Sequence, residues 1–237
     1  MGTDIHLYVD RLTDLGFWEW VKPPYKREYE YNEEKGFYYT YSDWWKREDA
    51  ECQYDPCGRN YEIFAFLADV RNGYGFAGVP IFKPIEPQFA GRGLPPGIPF
   101  DEEGNSLEED INMWLGYHDF TWATLEELRN ASWRTHFKQV GVIPADDYQE
   151  FKKLGYPPRG WSGGITGPGI HVFSEKEYTS LKHLDDEIEP YIKVSWGDSP
   201  LLQSGFYRWI YSDWMDNVVY SVGQDENRVR ITMGFDS

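Results

Sequence analysis

Asp4-Ile5-His6 places a carboxylate and an imidazole two residues apart. On a strand both point to one face. Such a pair can ligate a divalent metal, or serve as a base and its orienting partner. His118-Asp119 brings the same two chemistries together further along the chain. Folded against the first strand, Asp4, His6, His118 and Asp119 would make a metal set, with a divalent ion as cofactor and phosphate-ester hydrolysis as its chemistry. The plainer readings are a hydrogen-bonded pair that fixes the first strand, and a turn that leads into a helix. His136, His171 and His183 follow no metal-ligand spacing. The further Asp, Asn and His motifs of metal-dependent phosphoesterases are not found. No nucleophilic triad is visible, and Cys52 and Cys57 sit in no catalytic motif, so the catalytic residues stay open.

A second set of residues points to binding. Arg59-Asn60, Arg71-Asn72 and Arg92 lie among glycines, prolines and aromatics. Arginine pairs bidentately with phosphate, and aromatic rings stack on nucleobases. Phe76, Phe82, Trp122 and Trp161 are the rings available for stacking. The expected ligand-binding set is therefore Arg59, Arg71, Asn72, Arg92, Phe76, Trp122 and His118, and the expected ligand is a small anionic, nucleotide-like molecule. The plainer reading is that these arginines bridge loops by bonding carbonyls. The glycines of 160–169 lack the Lys-Ser/Thr of a P-loop, so their phosphate signal is weak.

These side chains need elements to hold them. Residues 3–11 alternate, with Ile5, Leu7 and Val9 on one face and Asp4, His6, Tyr8 and Asp10 on the other, as in a half-buried strand. Residues 17–21 read as its neighbour. Tyr29, Tyr31, Phe37, Tyr39 and Tyr41 flank a turn at 32–36 and predict an aromatic hairpin. Asn60 caps a helix over 61–70 that is apolar nearly all round and hence buried. Residues 71–99 are rich in Gly and Pro but keep Phe76, Ile81, Phe82, Ile85, Phe89 and Leu94, which argues for an ordered loop. Ser106 with Glu109, and Thr124 with Glu127, are capping-box patterns. Strands are expected at 133–143, 191–196 and 228–235. Helices are expected at 144–154 and, amphipathic, at 201–215. The pattern predicts an α+β fold with a mainly antiparallel sheet, several short helices and long ordered Gly/Pro-rich loops, in one globular domain over 1–237.

Composition narrows the partners. With 40 Asp and Glu against 23 Lys and Arg, the formal charge is −17. A surface this acidic repels phosphate polymers, so no nucleic-acid polymer is expected as a partner. No apolar run reaches the length of a membrane span, no signal peptide opens the sequence, and a cytoplasmic protein is expected. Cys52 and Cys57 are the only cysteines, too few for a four-cysteine zinc site. Oligomeric state is not read from these features.

Met1-Gly2-Thr3-Asp4-Ile5-His6, Arg59 to Ala65 with Leu67 to Asn72, Arg92 to Pro95, His118 to Leu128 and the ending Val229 to Asp236 resemble a family of uncharacterised proteins found mostly in bacteriophages and prophages. The resemblance covers both ends and much of the first 130 residues, and little of 140–225. It implies an intracellular phage protein, working in the host cytoplasm, that is not a virion component. Three functions are expected, the first two by analogy with phage proteins that sequester or degrade nucleotide signals of bacterial immunity and the third from the acidic charge. The first is sequestration of a small nucleotide-derived ligand. The second is a metal-dependent phosphoesterase acting on such a signal. The third is an acidic decoy for a basic host protein.

Overall fold

The computed structural model describes residues 3, 5–21, 26–32, 36–42, 53–54, 59–97, 118–181, 183 and 187–235, with the main chain alone at 26–32, 36–42, 53–54 and 76. Asp4, both cysteines and the Ser106 capping pattern lie outside these residues. The fold is α+β and mainly antiparallel, as the sequence predicts.

The main sheet is built on β1 (Ile5–Leu12), β2 (Trp18–Trp20), β5 (Gln53–Tyr54), β6 (His118–Thr124) and β10 (Val229–Phe235). Its order is β2-β1-β10-β6, with β5 also paired to β1, and every pairing is antiparallel. β3 (Lys26–Asn32) and β4 (Gly36–Ser42) form the aromatic hairpin, pairing Tyr31 with Phe37 and Tyr29 with Tyr39. A second sheet has the order β7 (Phe137–Pro144), β9 (Glu189–Asp198), β8 (Ile170–Ser174). Its β8–β9 pair is parallel.

The alternation read in β1 has a direct cause. Ile5, Leu7 and Val9 meet Phe235, Met233 and Ile231 across the ladder, and all six are buried. Helix α1 (Tyr61–Ala68) lies in this core, with Phe64 5.4 Å from Phe235. Asn60 Oδ1 accepts from the Ile63 N–H, as an N-cap should. The helix stops at Ala68, short of the expected 70, because Asp69 turns left-handed at φ 67 and its N–H returns to the Ala65 carbonyl.

The loop that follows is ordered by main-chain bonds. Gln88 and Phe89 donate to the Phe66 and Leu67 carbonyls, which end-of-helix geometry leaves without partners. Asn72 imitates a strand neighbour, donating to the Ile85 carbonyl and accepting from the Ile85 N–H. Further on, the Lys83 N–H bonds the Lys138 carbonyl and the Val140 N–H bonds the Ile81 carbonyl. Ser162 pairs with Val142 on β7. These loop residues protect an edge that would otherwise be open to pairing.

Thr124 and Glu127 form the predicted capping box of α2 (Leu125–Arg129). Residues 145–154 divide into a 3-10 turn (Ala145–Asp147) and α3 (Tyr148–Leu154), which ends at Gly155 with φ 78. β8 runs into α4 (Glu175–Ser180) through a second capping box, Ser174 with Glu177. The single helix expected over 201–215 is instead a 3-10 turn (Pro200–Gln203), α5 (Gly205–Ile210) and α6 (Asp213–Ser221). Ser204 caps α5 and Ser212 caps α6, and each serine hydroxyl restarts the helix in a new direction. Arg129 joins α2 to both, bonding the Ile210 carbonyl and the carboxylates of Asp216 and Glu226.

Candidate functional site

The face of the main sheet turned away from α1 carries the polar half of β1. In register across it stand Tyr8, Thr232 and Trp122, and beside them Asp10, Arg230 and Thr124. Trp20 lies opposite Asp10, and Trp18 opposite Leu12. Residues in register share a face. Three tryptophans, one tyrosine and a charge pair therefore converge, drawn from four strands.

Arg230 is the centre of this face. Its Nε and Nη2 both donate to Asp10 Oδ2, at 2.9 and 2.7 Å. Nη1 donates to the Pro96 carbonyl at 2.7 Å. The guanidinium lies 4.0 Å from the Trp18 ring centroid and 6.0 Å from that of Trp122. The Arg230 and Asp10 side chains are each 1% exposed. Burial outweighs the attraction of Arg230 and pushes the Asp10 carboxyl up from 3.8 to about 7. Asp10 Oδ1 and Thr232 Oγ1 are buried and have no hydrogen-bond partner among the described residues. Such orphans are uncommon in native folds and call for a cause, such as a bound water or ligand.

Residues 92–97 lie against this face as a strap that starts from Phe89 on the core side of β6. Thr121 Oγ1 donates to the Phe89 carbonyl, which ties the strap to β6. Arg92 lies 4.9 Å from the Phe89 ring and 5.3 Å from the Trp122 ring. Its two terminal nitrogens bind both oxygens of Glu127 at 2.9 Å, and Nη1 also reaches the Trp122 carbonyl at 3.1 Å. Arg92 holds Glu127 below the usual carboxylate range, with the Thr124 N–H adding to the effect. Phe89, Arg92, Trp122, Arg230 and Trp18 thus form a chain of alternating rings and guanidiniums.

The residues expected to bind a ligand are distributed as follows. Arg92 and Trp122 meet on this face. Asn72 braces the loop through Asp69 and Ile85. Arg71, at φ 54, donates from Nε to Thr3 Oγ1 and lies 5.8 Å from the Tyr61 ring. Arg59 is exposed before α1. The Phe76 main chain opens a 3-10 turn, Phe76–Gly78.

Of the expected metal set, Asp4 is outside the described residues. His118 and Asp119 begin β6 rather than a turn into a helix, and their side chains hydrogen-bond each other. His118 stands in register with Phe235 and through it Ile5, whereas His6 stands opposite Gly234 on the alternate pleat. Among the described residues no group of three or more His, Cys, Asp or Glu is placed to hold a metal ion. Elsewhere, His136 Nδ1 is 2.9 Å from Ser199 Oγ, and the His171 ring packs on Phe173.

Neither a protein-family model, nor a curated protein, nor a solved structure matches the chain. No described helix is long and apolar enough to cross a membrane. The class defined by fold and site is an α+β protein with an aromatic, ion-paired sheet face under a glycine-containing strap.

Much of the aromatic excess is core. Phe66, Trp133, Phe206 and Trp209 pack in succession at 4.8–6.0 Å. Arg230, Asp10 and Thr232 were not singled out as a site by sequence. The available signal was an arginine inside β10, all seven residues of which are buried. A buried arginine needs a carboxylate partner, and β1 carries one on its polar face.

Proposed function

We propose that this protein binds a small, nucleotide-derived ligand against the strapped face of the main sheet, working in the cytoplasm. If the phage resemblance is followed, the role is to sequester a host signal of that type. The observation that carries the reading is the pair of buried, unpartnered atoms, Asp10 Oδ1 and Thr232 Oγ1, among Tyr8, Trp20 and Trp122. Polar groups set into an aromatic wall orient a planar ligand, while the rings supply contact area. Arg71 and Arg92 support it less directly, because both bond protein groups here. The test is mass spectrometry of small molecules released when purified protein is denatured, followed by thermal shift with whatever is released. Release of a nucleobase-bearing compound that raises the melting temperature on add-back supports the reading. Protein that releases none, and is not stabilised by a panel of nucleosides and nucleotides, refutes it.

A further inference from the structure

The charges on this face are already matched. Arg230 is paired with Asp10, and Arg92 with Glu127. A phosphate would have to displace a carboxylate from one of these guanidiniums. The atoms left over are of a different kind. Asp10 Oδ1 is an acceptor when the carboxyl is ionised, and the Thr232 hydroxyl can donate or accept. Asp10 and Thr232 sit two residues apart along adjacent strands, since Asp10 pairs with Arg230 and Tyr8 with Thr232. Diagonal neighbours of this kind stand roughly 7–8 Å apart, a spacing that one planar ring can bridge. A ring N–H beside a ring carbonyl offers a donor to Oδ1 and an acceptor to the threonine hydroxyl.

Building on the binding reading above, we infer that this face recognises an uncharged planar heterocycle with a ring N–H beside a carbonyl, a nucleobase or nucleoside, through Asp10 Oδ1 and Thr232 Oγ1 and without need of its phosphate. Trp20, Trp122 and Tyr8 supply the surrounding rings. Asp10 and Thr232 are buried, and Pro96 and Gly97 bond Arg230 through main-chain oxygens at 2.7 and 3.5 Å, so entry of the heterocycle from the strap side requires these contacts to part.

The experiment is titration calorimetry of the full chain with guanosine and uridine, their 5′-monophosphates, and the nucleosides methylated at the ring N–H. The expected result is that at least one nucleoside binds within about threefold of its monophosphate. Methylation of its ring nitrogen should weaken it at least about tenfold, the scale of one lost hydrogen bond to a charged group. Thr232→Val should weaken the same nucleoside about tenfold with little change in melting temperature. It is the variant to rely on if Asp10→Asn fails to fold. A monophosphate that binds a hundredfold tighter than its nucleoside, or methylation without effect, overturns this inference while leaving ligand binding intact. If none of the six compounds binds, this inference falls, and a water bridging Asp10 Oδ1 and Thr232 Oγ1 is the better account of those atoms; the broader binding reading is then decided by the released-ligand experiment above.

Discussion

Arg230 places two N–H donors on one oxygen of Asp10 and leaves the other oxygen bare, although the residues are 220 apart in sequence. The pair is held in a nearly dry setting between β1 and β10. Removing one member strands the other as a buried charge. Arg230→Met should therefore cost about 3–5 kcal/mol, and Asp10→Leu with Arg230→Met together should cost clearly less than Arg230→Met alone. Urea denaturation of both variants measures this. Equal losses in the two would mean that the arginine acts through packing on Trp18.

The same carboxyl sets a pH dependence. Its folded value, about 7, lies above the unfolded 3.8, so between these values the folded state holds more protons than the unfolded one. Asp10's contribution is then greatest below about pH 4, declines as pH rises to about 7, and is constant above. The decline is at most about 1.4 kcal/mol per pH unit. Glu127 and Glu177 run the opposite way, since both are lowered from 4.5. Their contribution is present above that value and is lost as the solution becomes more acidic. Denaturation from pH 4 to 8 should show the Asp10 slope in the parent and not in Asp10→Asn.

Arg92 offers a contrast. Its fork on Glu127 is partly exposed, at 30% and 38% for the two side chains. Exposed pairs contribute little, so Arg92→Ala should lower stability by about 1 kcal/mol, part of it from lost packing on Phe89 and Trp122. Nucleoside affinity should change less than about threefold. Calorimetry beside thermal melting separates this from a phosphate-binding arginine, whose loss would weaken a nucleotide far more than it lowers the melt.

The break between α5 and α6 depends on Ser212, whose hydroxyl accepts from the Met215 N–H. Ser212→Ala should cost about 1 kcal/mol. Ser212→Asp should restore most of it, because a carboxylate also caps and suits the helix N-terminus. A melt that recovers with Asp but not with Ala identifies the cap as the cause.

Local chemistry made much of this fold readable. Ile5, Leu7 and Val9 declared the inner face of β1. Asn60, Thr124 and Gly155 marked helix ends through effects that act within a few residues. The errors occurred where distant partners decide. β6 was hidden because His118 and Asp119 do not alternate with apolar residues, and because the strand carries an irregularity near Phe235 and a left-handed Asp119 at φ 53. Over 201–215 the apolar period continues through both serines, so it masked two caps. Arg71, Arg92 and Trp122 were visible as candidates, but their protein partners were not. Glu127 lies 35 residues from Arg92 and comes to it only in the folded chain. Asp10 was visible as a polar-face residue, yet nothing near it in sequence announces Arg230.

The place of β10 also bears on how the protein reaches its native state. β10 lies between β1 and β6, so the middle of the main sheet cannot assemble until residues 229–235 have been synthesised. Until then, one side of β1 has no strand to pair with, although its apolar half is already made. Pairings this far apart in sequence close slowly, because the entropy of the intervening loop must be overcome before the contacts form. A nascent chain arrested before β10 should therefore be sensitive to protease around β1 and prone to associate through that edge, a vulnerability that ends when the central strand arrives.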